Sequence, residues 1–337
     1  MKIFEKSLTN KIVFYFFSII FICVLLISYI SYLGAKTSIV QSISNQLVDN
    51  LYIKKTDLTH WLNQQIQKID FISSQKELAN QIEKLAMRNI NAHESQSFDE
   101  VKDYFSVVFS KFSDFKEYEL LSPTGGIVIL SNKKEYIGEF RANDSYYINA
   151  KKKLYVHGVY PSPITSEPTI VIAVPIVKNN RALAILAIRL NLNRVNEIKK
   201  INANTYTDVQ NYLIDEFNMF MASDKYDLRE YPRGVHSFAI DKAIKGANGA
   251  GVYNDFQNEK VIGAYTWVSD LKVAIISEIK FSSAIAPAEE LARIIILTGF
   301  LLSVFAAVFI VYASKKISRP ILAIEKTALL VSSGDLT

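Results

Sequence analysis

Cysteine and histidine, the residues that most often serve as nucleophiles or metal ligands, are scarce in this chain of 337 residues. The single cysteine, Cys23, excludes an internal disulfide framework and a cysteine-based zinc cluster. The four histidines lack the i, i+4 spacing of a metal motif, and His157 is interpreted as a loop residue because no second ligand is spaced for it. No G-x-S-x-G or H-E-x-x-H motif occurs. The sequence therefore disfavours a hydrolase, and we expect no catalysis, no metal and no cofactor.

The charge distribution excludes nucleic acid as a partner. The net charge is +5, but the basic surplus lies at the two ends, up to Lys11 and again from Arg293 onward. A nucleic-acid binder would need a basic face on its folded body. The aromatic content of 12% is too high for a disordered chain.

Two uncharged apolar runs dominate the hydropathy pattern: 24 residues from Ile12 to Ala35 and 21 from Ile294 to Ser314. A bilayer core needs about 20 apolar residues in a helix, so we predict membrane spans over 12–35 and 291–314. A cleaved signal peptide is the alternative for the first run, but its apolar core exceeds the usual ~7–15 residues.

Basic residues flank both predicted spans on the same side: Lys2, Lys6, Lys11, Lys315, Lys316 and Arg319. The positive-inside rule therefore places residues 1–11 and 315–337 in the cytoplasm. The region between the spans is expected in the periplasm or outside the cell, in a multi-pass protein of the inner (plasma) membrane.

Residues 36–112 have helical periodicity, and a helix that continues straight out of the membrane is the simplest prediction. The apolar stripe that repeats at steps of three, four and seven is Leu47, Leu51, Leu58, Leu62, Ile66, Ile69 and Ile72. This stripe is either the seam of a dimer or the face that packs on the rest of the domain, because periodicity does not separate the two.

From residue 113 the pattern becomes strand-like and predicts two similar units, over 113–203 and 204–285. In each unit a hairpin is followed by a short helix and a three-strand meander. The predicted strands of the first unit are 118–122, 127–130, 154–160, 169–177 and 182–190, with a helix at 145–152. Those of the second are 209–214, 219–222, 251–256, 261–268 and 271–278, with a helix at 238–245. The fold class is therefore α+β, with two tandem PAS-like modules of antiparallel sheet and flanking apolar helices.

The last segment, 315–337, carries a heptad seam of Ile317, Ile321, Ile324, Ala328 and Val331. Pro320 is predicted at the start of this helix, where a missing N–H costs little. A second span followed by I-S-R-P-I, this heptad helix and G-D-L-T resembles the first helix and connector of a HAMP linker. The resemblance implies that Pro320 is a signalling joint. Since the chain stops there, we expect it to be part of a longer receptor.

The region between the spans resembles a double Cache sensor domain. The resemblance rests on D-S-Y-Y-I-N-A at 144–150, V-Y-P-S at 159–162, E-P-T-I-V-I-A-V-P-I at 167–176 and A-I-L-A-I-R-L at 184–190. With the HAMP-like segment, the chain is similar to the front half of a bacterial transmembrane receptor, most often a methyl-accepting chemotaxis protein.

The resemblance implies a small-molecule pocket in the membrane-distal module, 113–203. The ligand-binding residues that it implies are Arg141, Asp144, Tyr146, Tyr147, Tyr160, Ser162, Thr165, Glu167 and Arg189. The amino-acid-binding subfamily has an arginine where Asp144 stands, and an aspartate near Arg189. Because the two charges are exchanged in this sequence, the way in which that subfamily binds amino acids is disfavoured. Arg141 or Arg189 is still available to bind a ligand carboxylate, and Asp144 or Glu167 is available to bind a cation.

Simpler interpretations of these residues stay open. Tyr146 and Tyr147 fit core packing, Asp144 fits a helix N-cap and Arg189 fits a solvated strand position.

The leading function hypothesis is a homodimeric transmembrane receptor that serves chemotaxis. Its expected partners are the lipid bilayer, a small-molecule ligand or a ligand-loaded periplasmic binding protein, and downstream signalling proteins. The alternatives are the sensory half of a histidine kinase or diguanylate cyclase, and a membrane-anchored binding protein without output.

Overall fold

The computed structural model describes residues 8–87, 96–162, 168–192, 208–226 and 230–332. Helix α1 runs unbroken over Leu8–Ser73, followed by α2 (Lys76–Met87) and α3 (Gln96–Lys111). The segment 36–112 therefore contains several helices and not one. The first break comes after Ser73, whose hydroxyl donates to the carbonyl of Asp70 and competes with the helical ladder.

The apolar stripe on α1 is a packing face of the chain itself. Leu47, Leu51, Leu58, Leu62, Ile69 and Ile72 are all buried. Ile66 of the same stripe is half-buried. The stripe therefore packs within the chain, and its use as a dimer seam stays a prediction.

The chain divides into two compact units, residues 1–41 with 284–337 and residues 42–283. In the first unit, the start of α1 packs against the last helix, α6 (Phe281–Ser332), with the rings of Phe21 and Phe300 at 6.4 Å. A Cβ at Gly299 would lie 2.3 Å from Val24 Cγ1, so the glycine permits this approach. By length and composition, two helices are apolar enough to cross a membrane, within Phe14–Ser73 and Phe281–Tyr312.

Pro320 lies inside α6 and not at a helix start, which corrects the sequence-based prediction. The fixed φ of proline, about −65°, is compatible with a helix, so the ring removes one backbone hydrogen bond without ending the helix.

The second unit contains two five-stranded antiparallel sheets. The first module consists of β1 (Phe115–Leu121), β2 (Val128–Ser131), α4 (Ser145–Ala150), β3 (Tyr155–Pro161), β4 (Pro168–Lys178) and β5 (Arg181–Leu190). Its strand order is β2-β1-β5-β4-β3, so the first strand pairs with the last. Helix α4 buries Tyr146, Tyr147 and Ala150 in a core shared with one face of the sheet.

The second module repeats this arrangement with β6 (Val209–Asp215), β7 (Phe220–Ser223), α5 (Phe238–Ile244), β8 (Gly249–Asn254), β9 (Lys260–Val268) and β10 (Val273–Lys280). Its strand order is β7-β6-β10-β9-β8. Ser237 caps α5 by accepting a hydrogen bond from the N–H of Ile240. The α+β class and the paired antiparallel sheets of the sequence-based prediction are confirmed, with strand ends shifted by a few residues.

The two modules meet where β3 passes the β9–β10 turn. The N–H of Val159 donates to the carbonyl of Leu271 at 2.9 Å. A Cβ on Gly158 would lie 2.3 Å from that carbonyl oxygen, so only glycine fits here without displacement.

Candidate functional site

A cavity of about 240 Å³ opens in the first module beside the start of α4. It is lined by Arg141, Asn143, Asp144, Ser145, Tyr146, His157, Tyr160 and Arg189. The cavity has aromatic walls and a few convergent polar groups, which is the usual composition of a small-molecule site.

Strand pairing places the charged groups of this site on one face of the sheet. Arg189 on β5 is paired with Glu117 on β1, and Glu119 lies two residues further along β1 on the same face. Leu121 continues this face into the core beneath α4. The opposite side of the cavity comes from the turn that carries Arg141 and leads into α4.

Glu119 is a fully buried carboxylate shared by two arginines. Its Oε1 lies 2.9 Å from Arg189 Nη1 and accepts a hydrogen bond from Arg141 Nη2 at 3.5 Å. Its Oε2 accepts from the hydroxyl of Tyr146 at 3.1 Å. Because Glu119 is 0% exposed, only these side chains offset its charge in the described part of the chain.

Arg141 keeps a buried nitrogen, Nε, that has no hydrogen-bond partner among the described residues. It lies 4.0 Å from Asp144 Oδ2, beyond hydrogen-bond distance. Arg141 is 9% exposed, so bulk water does not satisfy this donor. Such a group is rare in folded proteins and marks a place where an acceptor fits. Arg189 Nη1, in contrast, is already paired, at 2.9 Å from Glu119 Oε1 and 3.9 Å from Glu117 Oε2.

The ring of Tyr136 is flanked by both guanidinium groups, with Arg141 Cζ at 5.6 Å and Arg189 Cζ at 5.8 Å from its centroid. Tyr136 belongs to a single 3-10 turn, Lys134–Tyr136, between β2 and α4. The ring holds both cations at the edge of the cavity through cation–π attraction.

Burial and the neighbouring charges shift the titration of the lining groups. Burial is the largest single effect and opposes the charge of Arg189, but Glu119, Tyr146 and Tyr160 together outweigh it and raise the pKa of the guanidinium. Burial, reinforced by Glu119, raises the pKa of Tyr146, and burial raises that of Tyr160 to about 12. Burial lowers the pKa of His157 below its usual value, so the imidazole is neutral at pH 7. The positive charge of the cavity wall at pH 7 therefore comes from the two arginines.

Five of the predicted ligand-binding residues come together around the cavity: Arg141, Asp144, Tyr146, Tyr160 and Arg189. Arg189 is buried, so its interpretation as a solvated strand residue is wrong. Asp144 does occupy the N-cap position of α4, but its side chain makes no capping hydrogen bond.

Tyr147 and Ser162 are not among the residues that line this cavity. Tyr147 is fully buried, and its hydroxyl donates to the carbonyls of Ser122 and Pro123, which is a packing role. Ser162 is buried at the end of β3. Thr165 and Glu167 lie outside the described residues.

Glu117, Glu119 and His157 are among the site residues that the sequence-based prediction missed. Glu117 and Glu119 alternate with Lys116 and Tyr118, a pattern that also fits a solvated strand face. Their role depends on pairing with β5, for which a local pattern gives no signal. His157 is a strand residue of β3 and not a loop residue, and its ring packs at a tilt against Tyr160, at 4.1 Å between centroids.

Solved structures with the same fold are sensor domains. The V. cholerae histidine kinase DctB sensor domain matches with a TM-score of 0.54 and 13% identity, covering 71% of this chain and 98% of that chain. The ligand-binding domain of the Campylobacter jejuni chemoreceptor Tlp3, in complex with L-norvaline, matches with a TM-score of 0.51 and 15% identity, covering 73% and 94%. A domain of a sensory box/GGDEF family protein from Vibrio parahaemolyticus matches with a TM-score of 0.50 and 12% identity, covering 73% and 99%.

No curated protein matches the chain by sequence. The sequence profile of the Cache domain, in contrast, matches residues 35–288, which include both modules and the helices before them. The match covers most of the chain, and the chain belongs to the Cache domain family.

Proposed function

We propose that this protein is the sensory part of a transmembrane receptor, and that the cavity of the first module binds a small molecule with a carboxylate group. Cache domains are extracellular sensor domains of membrane receptors. The observation that carries the ligand class is the pair of buried arginines in the cavity wall, because Arg141 Nε has no hydrogen-bond partner among the described residues. A carboxylate accepts hydrogen bonds from guanidinium groups in good geometry and would satisfy this donor.

The internal counter-ion limits how much negative charge the site takes. Glu119 already offsets part of the charge of Arg141 and Arg189, and Asp144 adds a second carboxylate to the wall. We therefore expect a ligand with one carboxylate, and with Asp144 available for a hydrogen-bond donor, in preference to a dianion.

A thermal-shift screen of the full chain in detergent tests this proposal. The panel contains monocarboxylates, dicarboxylates, amino acids, amines, purines and sugars. A ligand at 100 times its Kd stabilises the folded state by about 2.7 kcal/mol, a shift that is easily resolved. Hits should come from the carboxylates and should weaken at least tenfold in Arg141→Gln and Arg189→Gln, measured by calorimetry.

Tyr147→Phe is the matched control, because Tyr147 lies outside the cavity wall and should leave the affinity unchanged. Hits only among amines or sugars, or carboxylate hits that both arginine variants keep, would contradict the ligand class. Sensing through a ligand-loaded binding protein would give no hit with free small molecules but a shift with the loaded partner.

For the output, we propose that both apolar helices span the membrane and that a homodimer signals through the HAMP-like segment, 315–337, to a chemotaxis partner. A histidine kinase output is the second candidate, because the DctB sensor domain is as similar in fold as the chemoreceptor Tlp3.

Pro320 remains the proposed signalling joint, now inside a continuous helix. Pro320→Ala removes a residue that costs about 3 kcal/mol in a helix interior, and it restores one backbone donor. It should alter the signal bias of a receptor that carries an output module. An unchanged signalling output of the Pro320→Ala receptor would contradict this role.

A further inference from the structure

A buried carboxylic acid in the second module is not explained by the proposed ligand site. Glu278 on β10 is 2% exposed, and its Oε2 accepts a hydrogen bond from the hydroxyl of Tyr212 at 2.8 Å. Its Oε1 accepts no well-aligned hydrogen bond from the described residues, although the hydroxyl of Tyr253 lies close enough to affect the pKa of the acid. Gly263, opposite Glu278 on β9, makes room for both groups. A Cβ there would lie 2.1 Å from Tyr253 Oη and 2.8 Å from Glu278 Cγ.

Among the residues that the structure describes, the groups that face this carboxyl supply no positive charge. Strands β6, β8 and β9 contribute the phenols Tyr212, Tyr253 and Tyr265, and the turn after β8 contributes the acid Asp255. Helix α5 buries only Ala239, Ile240 and Ala243, while its charged residues Asp241 and Lys242 are exposed. The same core receives the partly buried rings of Tyr226, Tyr231, Phe256 and Trp267.

Lys280, the cation on the same strand, is paired with a different carboxylate. Lys280 follows Glu278 by two residues on β10, and its Nζ lies 2.7 Å from Glu259 Oε2. In the described part of the chain no ion pair includes Glu278. Glu119 in the first module shows the contrast, because it is equally buried but lies within 3.5 Å of two guanidinium groups.

An acid in this setting is more stable with its proton than without it. Ionisation would leave a negative charge in an apolar, aromatic core, where it costs far more than in water. Burial is the largest cause and raises the pKa of Glu278 to about 7; the two phenols partly oppose this and Asp255 adds to it. The proton therefore leaves for solvent in the range where environmental pH commonly varies.

We propose that Glu278 is a proton-binding site through which the second module responds to external pH. When the proton leaves, the carboxylate needs a second donor, and the hydroxyl of Tyr253 on the edge strand β8 is the group placed to turn toward it. Strand β10 continues directly into α6, so a repacking around Glu278 occurs next to the start of that helix.

The pH dependence of stability follows from the two states. In the unfolded chain a glutamate has its ordinary pKa of 4.5, whereas in the folded chain the pKa of Glu278 is about 7. Between these values the folded state binds more protons, so its stability is fully present below about pH 4.5 and falls as the pH rises through 7.

The test is the melting temperature of the full chain in detergent, followed by tryptophan fluorescence from pH 5 to pH 8.5. The melting temperature of the wild type should fall across this range. Glu278→Gln, which mimics the protonated acid, should match the wild type near pH 5 and melt at a higher temperature at pH 8. Glu259→Gln is the control, because Glu259 is exposed and paired with Lys280, and its removal should not flatten the profile.

A second measurement on the wild type keeps the test independent of the variant's folding. The infrared band of a protonated carboxyl should titrate near pH 7, and Tyr253→Phe should shift its midpoint to higher pH by removing a donor for the carboxylate. Parallel melting profiles for wild type and Glu278→Gln, or no carboxyl band that titrates between pH 6 and 8, would overturn the proposal.

Discussion

At the scale of residues, each module buries a carboxylate, but the surroundings of the two carboxylates differ. Glu119 forms ion pairs with Arg141 and Arg189, and this cluster borders the cavity. Glu278 is surrounded by phenols and apolar side chains. In our proposals the ion cluster supplies donors for a ligand, whereas Glu278 binds a proton. The same sheet architecture would then carry two kinds of recognition that differ in a few side chains.

The adjacent tyrosines of α4 should separate binding from packing. Tyr146→Phe removes a hydrogen bond to a buried carboxylate, which is worth about 1.5–3 kcal/mol, and it alters the cavity wall. Tyr147→Phe removes a hydroxyl that donates to neutral carbonyls, which is worth about 1 kcal/mol. We expect both variants to lower the melting temperature, and only Tyr146→Phe to weaken ligand binding in calorimetry. Equal effects on affinity would show that the cavity is assigned to the wrong face of α4.

At the scale of elements, β3 links the cavity to the second module. It carries His157 and Tyr160 in the cavity wall, and between them Gly158 and Val159 contact Leu271. Leu271 lies in the turn that leads into β10. A ligand that shifts β3 would therefore act on the strand that precedes α6, provided that it binds two arrangements of this contact with different affinity.

Gly158→Ala should disrupt this contact. The added methyl group would meet backbone atoms of Leu271, which cannot move aside as a side chain can. We expect a loss of about 1–3 kcal/mol, the usual cost of overpacking, and a fall in melting temperature of about 2–4 °C per kcal/mol. Gly251→Ala is the matched control, because a Cβ there meets nothing within 4 Å. It should be neutral or slightly stabilising, and a Gly158→Ala variant as stable as this control would contradict the close contact.

At the scale of the whole molecule, two long helices combine apolar segments with a sensor domain. The apolar residues of α6 are largely exposed, among them Leu297, Leu302, Phe305 and Val308. Exposed apolar surface of this extent is costly in water and favourable in lipid. The proposed topology places both chain ends in the cytoplasm and both sheets outside.

Cysteine labelling tests this topology. In a Cys23→Ser background, a membrane-impermeant maleimide should label Ser269→Cys on intact cells, because Ser269 is exposed in the β9–β10 turn. Lys316→Cys, exposed beyond the second apolar run, should react only after permeabilisation. Labelling of both positions on intact cells, or of neither, would contradict two membrane crossings.

The amino-acid sequence by itself determined the order and type of the elements. Apolar runs and strand alternation are local, so the flanking helices, the two hairpin–helix–meander units and the family resemblance could be predicted from neighbouring residues. The family resemblance, and not the periodicity, implied Arg141, Asp144, Tyr146, Tyr160 and Arg189 as site residues.

The tertiary structure decided which of these side chains meet. Glu119 and Arg189 are 70 residues apart and become neighbours because the first strand of the sheet pairs with the last. The side chain of Tyr147 contacts the β1–β2 turn, whereas that of Tyr146 lines the cavity. Gly158 lies against a backbone carbonyl of the other module. Likewise, Glu278 has no counter-ion in the described part of the chain, because the strands around it bring phenols and apolar side chains to that core. Such contacts depend on strand pairing between distant segments, and a local pattern carries no information about them.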